Sequence, residues 1–178
     1  DQLVAAGHHV IRYDHRDCGR STPLGPEAGY LLDDLASDVV GLLDRLTIGS
    51  AHLVGRAMGG MVAQVMGLEH ADRVASLTLL STTAGVDDER LPGPDEGFVD
   101  KMMRRLYAGP PDDHAGRIQW LVELAESMAG TAYRLDLEAE AVLADAQLRT
   151  GWSPNSGHGG AAFGSPSRLE RLGEIQHP

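Results

Sequence analysis

The sequence predicts an α/β fold, in which a parallel sheet flanked by helices is followed by a mainly helical cap. Three observations predict it. Short β-rich runs alternate with helical stretches as far as Leu80, and strand–helix–strand alternation is how parallel strands are joined. After Ser81 the periodicity is helical and no further strand-like run is evident. Between one strand and the next helix lies a turn framed by glycines, Gly55 to Gly60.

The elements follow in order. Asp1 to Gly7 reads as the last turns of a helix, with glycine just past its end. His8–Tyr13 is β-rich and follows a glycine, so it is expected to be a strand. Asp14 to Pro26 carries Gly19, Ser21, Pro23, Gly25 and Pro26, which is loop chemistry. Asp33–Leu46 places Leu35, Val39, Leu42, Leu43 and Leu46 on one helical face, and Asp33 or Asp34 can accept from its free N–H groups. Ala51–Val54 is a brief strand, Gly55–Gly60 a tight turn, Met61–Leu68 a helix and Val74–Leu80 a further strand. Gly85–Gly97 is acidic and turn-rich, and Phe98–Leu106, Asp113–Met128 and Leu137–Arg149 read as three helices. Gly151–Gly164 is expected to be irregular and Ser167–Leu172 to form a last short helix. The expected division is a partial core over 1–85, a helical cap over 86–166 and a return segment over 167–178. No initiator methionine opens the chain, and it stops where a new strand is expected, so a piece cut at both ends is expected.

Composition excludes several function classes. With 178 residues, 42% of them hydrophobic and 23% charged, the chain can bury a real core. A formal charge of −11 repels phosphate backbones and anionic lipids, so neither a nucleic-acid nor a membrane partner is expected. The single cysteine, Cys18, cannot form an internal disulfide. No apolar stretch is long enough to cross a bilayer and no signal peptide opens the chain, so a cytoplasmic protein is expected.

The chemistry centres on Leu53-Val54-Gly55-Arg56-Ala57-Met58-Gly59-Gly60-Met61. A nucleophile elbow has the pattern G-x-S-x-G between a strand and a helix. Here it reads Gly55-Arg56-Ala57-Met58-Gly59. Such a turn needs small residues, because its central residue is strained and neighbouring backbone lies close. The helix that starts there aims its N–H groups at an oxyanion formed above residue 57. The segment resembles the elbow of α/β-hydrolases. The resemblance extends to Val10–Ser21, upstream, and to His70–Leu80, downstream, with matching spacing among the three blocks. Within that family the chain is similar to polyketide methylesterases of the aclacinomycin type. The resemblance implies a partial α/β-hydrolase with a helical cap and no cofactor. It implies a parent that hydrolyses a small apolar ester with a Ser-His-Asp triad. It puts the nucleophile position at Ala57, the oxyanion-hole N–H at Met58 and the elbow glycines at Gly55, Gly59 and Gly60. Trp152-Ser153-Pro154 and Ser165–Arg168 resemble the segment that leads from cap to sheet. It further implies that the triad acid and histidine follow Pro178 and that the second oxyanion donor precedes Asp1. An alanine methyl cannot attack a carbonyl, so the chain is expected to be inactive as it stands.

Other readings compete. Gly55, Ala57 and Gly60 match a dinucleotide fingerprint with alanine for its second glycine, but Ser81, Thr82 and Thr83 offer no carboxylate for a ribose. His8, His9, His15, His52, His70, His114, His158 and His177 are scattered without metal-ligand spacing, so no metal site is expected, although His158 could touch a substrate. Cys18 reads as a bystander, Asp87 and Asp88 as loop carboxylates, and Met102, Met103 and Met128 as packing or lid residues. Beside the hydrolase reading stand a non-catalytic homologue that binds a small apolar ligand or a partner, and, more distantly, a nucleotide-binding domain.

Overall fold

A helix that is apolar on every side has to be buried, and the sequence Met58–Glu69 is such a helix. In the structure, a computed structural model that describes residues 2–130, 132, 134–152, 154 and 156–178, Gly60 to Gly67 are all buried. The elements are α1 (Gln2–Ala5), α2 (Leu32–Arg45), β1 (Ala51–Arg56), α3 (Met58–Glu69), β2 (Val74–Leu80), α4 (Glu96–Ala108), α5 (His114–Met128), α6 (Leu137–Arg149) and α7 (His158–Gly164). A single 3-10 turn occupies Ala71–Arg73 and a longer 3-10 helix Leu169–Glu174. β1 and β2 pair in parallel from Ala51↔Val74 to Arg56↔Leu80, with α3 as their crossover. The core lies where Leu32, Leu35, Ala36, Val39 and Leu43 of α2 meet Met61, Val62, Val65 and Met66 of α3.

Helix entry chemistry is as the sequence suggests, with one addition. Asp95, Asp113 and Asp136 cap α4, α5 and α6, each accepting from a backbone N–H of the first turn. Asp34 accepts from the Leu31 N–H (2.8 Å) at the start of α2. The Leu32 N–H instead donates to Ser165 Oγ (2.9 Å), which itself donates to the Ala161 carbonyl (2.7 Å).

Four expectations are corrected. His8–Tyr13 forms no strand: among the described residues it has no ladder partner, and Val10, Ile11 and Tyr13 stay between 37% and 40% exposed. β propensity supplies an extended run, but a strand also needs a hydrogen-bonded neighbour. β1 continues through Arg56 because Gly55 and Arg56 pair with Leu79 and Leu80, so the turn shrinks to Ala57 and α3 starts at Met58. Leu46 is 45% exposed, since it caps α2 rather than extending its apolar face. Within Gly151–Gly164, the described residues include helix α7, with Ala161 fully buried against the core. Ser153 and Asn155 lie outside the described residues. Gly151 and Gly157 of that segment serve close approach, whereas Gly159 and Gly160 are uncrowded. A Cβ on Gly157 would come within 2.8 Å of the Tyr30 ring, and one on Gly151 within 2.6 Å of the Gly19 carbonyl.

Two buried polar side chains tie distant segments together. Asp17 Oδ1 accepts from the Leu24 and Gly25 N–H groups (2.8 and 2.9 Å), and Oδ2 from the Gly157 N–H (2.6 Å) and Tyr30 hydroxyl (3.2 Å). Those backbone donors hold its carboxyl well below the usual carboxylate range. Arg168 donates to Gln64 Oε1 (3.0 Å) and the Pro166 carbonyl (3.0 Å), while its backbone N–H donates to Ala84 (2.9 Å). Gln64 in turn donates to the Thr83 carbonyl (3.2 Å), so the return segment is pinned to α3 and to the chain leaving β2. Among the described residues no helix is long and apolar enough to cross a membrane.

Arg168→Ala is expected to destabilise the chain by roughly 1–3 kcal/mol, because Gln64 and its neighbours are left buried and unsatisfied; denaturant unfolding measures this, and a loss below half a unit on that scale would make the clasp ornamental. Acid should weaken the fold in two stages. Burial, then the neighbouring His158, lowers the His15 pKa below its ordinary 6.5, so its contribution is complete above that value and is lost as pH falls towards the lowered one. The depressed Asp17 adds a second loss beginning below 3.8. Thermal melts from neutral pH downward should show both, and His15→Phe should remove only the first.

Candidate active site at the strand-to-helix turn

Between β1 and α3 the chain reverses direction in one residue. Ala57 has φ 51° and ψ −122°, a left-handed conformation that strains any residue with a Cβ. Such strain costs on the order of 1–3 kcal/mol and persists only where surroundings enforce it. They do so here through the backbone. The Ala57 N–H donates to the Leu80 carbonyl (3.0 Å). Its carbonyl accepts from the Gly60 N–H (2.9 Å), the Met61 N–H (3.2 Å) and Thr82 Oγ1 (2.8 Å). The methyl group is left exposed at the apex.

The glycines divide into two kinds. A Cβ on Gly55 would lie 2.3 Å from the Gly59 carbonyl oxygen, and one on Gly60 would lie 2.6 Å from Thr82 Cβ. These two must be glycine for the turn to close. Gly59 has nothing within 4 Å of such a Cβ, so the crowding expected at all three glycines holds at only two. Met58 opens α3, and among the described residues no acceptor takes its N–H. That N–H, at the positive end of a helix, is free for a developing oxyanion.

Residues of α5, α6 and the segment joining them, with Arg56, the residue before the apex, line a cavity of about 250 Å³ that is open to solvent and whose wall includes Leu121, Leu124, Met128, Leu135 and Leu143. Met128 lines this cavity while 54% exposed, and Met103 on α4 is 42% exposed. Arg105 of α4 stacks on Trp120 of α5, 4.2 Å from the ring centroid, and pairs with Glu123 (3.2 Å).

Other candidates have structural duties. His158 binds the Arg16 carbonyl (2.8 Å) and His52 binds Ser76 Oγ (2.7 Å). His114 and Asp145 form a histidine–carboxylate pair (2.7 Å) across α5 and α6, but Asp145 is also held by Arg149 (2.7 Å). The Cys18 thiol is raised by burial and faces the His15 carbonyl. Asp88 is committed to Arg90 (2.8 Å) and Ser167. Among the described residues no three His, Cys, Asp or Glu side chains are grouped to hold a metal. Sequence reasoning missed Asp17, Ser165 and Arg168, whose roles depend on partners more than a hundred residues away.

A family model described as the alpha/beta hydrolase fold matches residues 1–142. The chain belongs to the α/β-hydrolase family. Rhodomycin D methylesterase DnrP of Streptomyces peucetius is 37% identical over 132 residues, covering 64% of this chain and 43% of its own. A protein of Variovorax paradoxus named as the carbamate hydrolase RutD is 48% identical over 79 residues, covering 44% of this chain and 29% of its own. The chain therefore spans less than half the length of these curated relatives. Among solved structures, a hydrolase from Pseudomonas aeruginosa PA01 superposes with a TM-score of 0.61 at 27% identity, over 99% of this chain and 62% of that one. This α/β-hydrolase chain resembles methylesterases, as its three sequence blocks imply, and has a parallel sheet flanked by helices.

The close contacts at the turn make a graded test. Gly55→Ala and Gly60→Ala should each lose about 1–3 kcal/mol through overpacking, Gly59→Ala should be neutral or gain up to about 1 kcal/mol of helix propensity, and Ala57→Gly should stabilise by relieving strain. Denaturant unfolding of the four variants measures the ranking; equal losses at Gly55 and Gly59 would contradict the geometry.

Proposed function

We propose that this chain carries the nucleophile elbow and cap of a hydrolase acting on a small apolar ester or related acyl bond, with Ala57 at the nucleophile position. The observation that carries the reading is the strained backbone of Ala57 beside the free Met58 N–H. A side chain at 57 points from the apex and a carbonyl placed over it meets a fixed donor. A serine there would attack, and a histidine and an acid supplied outside these residues would take and steady its proton. The helical segment over 86–166 acts as the cap, and the cavity it forms with Arg56 offers leucine side chains to the substrate body. Resemblance to a methylesterase supports an ester over other acyl bonds, and the carbamate hydrolase name keeps the neighbouring acyl class in view.

With alanine at 57, a second reading has its own support. A methyl group forms no acyl intermediate, so the chain as it stands binds rather than turns over its ligand. Ala57→Ser distinguishes the two. In the 178-residue chain, the change should leave hydrolysis of 4-nitrophenyl butyrate near background, because triad members act as a unit. In a chain extended to the length of the methylesterase relatives, the same change should raise kcat by several orders of magnitude, on the order of 10³ or more. No gain in the extended chain would favour the binding reading, and strong turnover by the shorter one would place the base within these residues.

A further inference from the structure

Arg56 is where the turn acquires a charge. Alternation along β1 buries Gly55 and turns Arg56 to the opposite side, towards α5 and α6. There its side chain forms one wall of the 250 Å³ cavity. Among the described residues, Arg56 has neither an ion-pair partner nor a hydrogen-bonded acceptor. The Arg12, Arg20 and Arg45 side chains likewise have neither there, whereas Arg16, Arg73, Arg90, Arg105, Arg149 and Arg171 are each paired with a carboxylate; of the four without either, Arg56 is the one that lines the cavity. The chain as a whole is strongly acidic, at −11, so a guanidinium on the wall of a cavity lined by several leucines stands against the general field. The other charge on the cavity wall is Glu140 of α6, which also has no cationic partner among the described residues. The two do not meet within 4 Å, so they mark separate places on the wall.

We propose that Arg56 is a specificity residue that binds a free carboxylate on the ligand, so that the cavity takes an apolar monocarboxylate. The inference rests on the reading of residue 57 as the reacting position, since Arg56 directly precedes it. A guanidinium presents a fork of N–H donors that matches a carboxylate in two parallel hydrogen bonds. The apolar walls Leu121, Met128 and Leu143 take the ligand's hydrocarbon chain. The cavity's volume falls just below the roughly 300–1,000 Å³ of ordinary small-molecule sites, which suits a short chain. Glu140 offers only acceptors when ionised, so it repels a second carboxylate and favours monoacids over diacids.

The test is a binding measurement on the 178-residue chain with its alanine, and so needs no chemistry. Calorimetric titration compares octanoate, methyl octanoate and octanedioate. Octanoate should bind roughly tenfold tighter than its methyl ester, as a charge-assisted pair allows. Arg56→Gln should erase that preference by weakening octanoate alone, Arg56→Lys should keep part of it, and Glu140→Gln should improve octanedioate selectively. Arg56 holds no partner, so Arg56→Gln should melt with the unmodified chain; if it does not fold, the Lys variant and the salt dependence of octanoate affinity decide instead. Equal affinity for acid and ester, binding of neither, or a preference that survives loss of the guanidinium would each overturn the proposal. An extended Ala57→Ser chain that hydrolyses neutral esters while octanoate and its ester bind equally would sink this inference and leave the hydrolase reading standing. The reverse result would do the opposite.

Discussion

The strained backbone at Ala57 is the constraint around which the rest is arranged. A single residue turns a strand into a helix only if it accepts a positive φ and if the two elements come closer than side chains normally allow. Gly55 and Gly60 permit that approach, and Leu80 and Thr82 hold the turn through its own N–H and carbonyl. The pairing of β1 with β2 therefore does two things at once: it builds the sheet, and it delivers Leu80 to the place where it fixes the turn. Because α3 is buried from Gly60 to Gly67, the turn rests on a helix held on all sides by the core.

Around this centre, long-range polar ties do what a larger sheet would otherwise do. Asp17 gathers the loop after residue 14, the Tyr30 hydroxyl and the start of α7 onto one carboxylate. Ser165 satisfies the first N–H of α2 from the far end of the chain. Arg168 is buried, and burial pulls its pKa down, yet Gln64 and backbone carbonyls take its donors. These groups are costly to bury alone and specific when paired. They fix where the glycine-rich segment returns to α2 and α3.

Much of this was legible from residue order. Helical periodicity gave α2, α5 and α6 nearly to the residue, since amphipathic spacing and an aspartate at each entry are local signals. The turn at 55–60 was legible because glycine spacing between a strand and a helix reports backbone geometry directly. His8–Tyr13 misled for a physical reason: its residues favour an extended backbone, but pairing depends on a neighbour that local sequence does not specify. The glycines of 151–164 misled in the opposite way. Glycine permits both a loop and close packing, and only the proximity of Tyr30 and Gly19 shows which is used.

The sequence by itself determined the family, the three blocks that carry it, the glycine-framed turn and the alanine at its centre, because each depends on residue identity or on spacing within a few residues. Only the tertiary structure decided that Gly59 is uncrowded, that Asp17, Ser165 and Arg168 are ties, and that Arg56 lines a cavity with no partner among the described residues. Those properties belong to distances between residues far apart in the chain, and no local pattern of amino acids encodes such a distance.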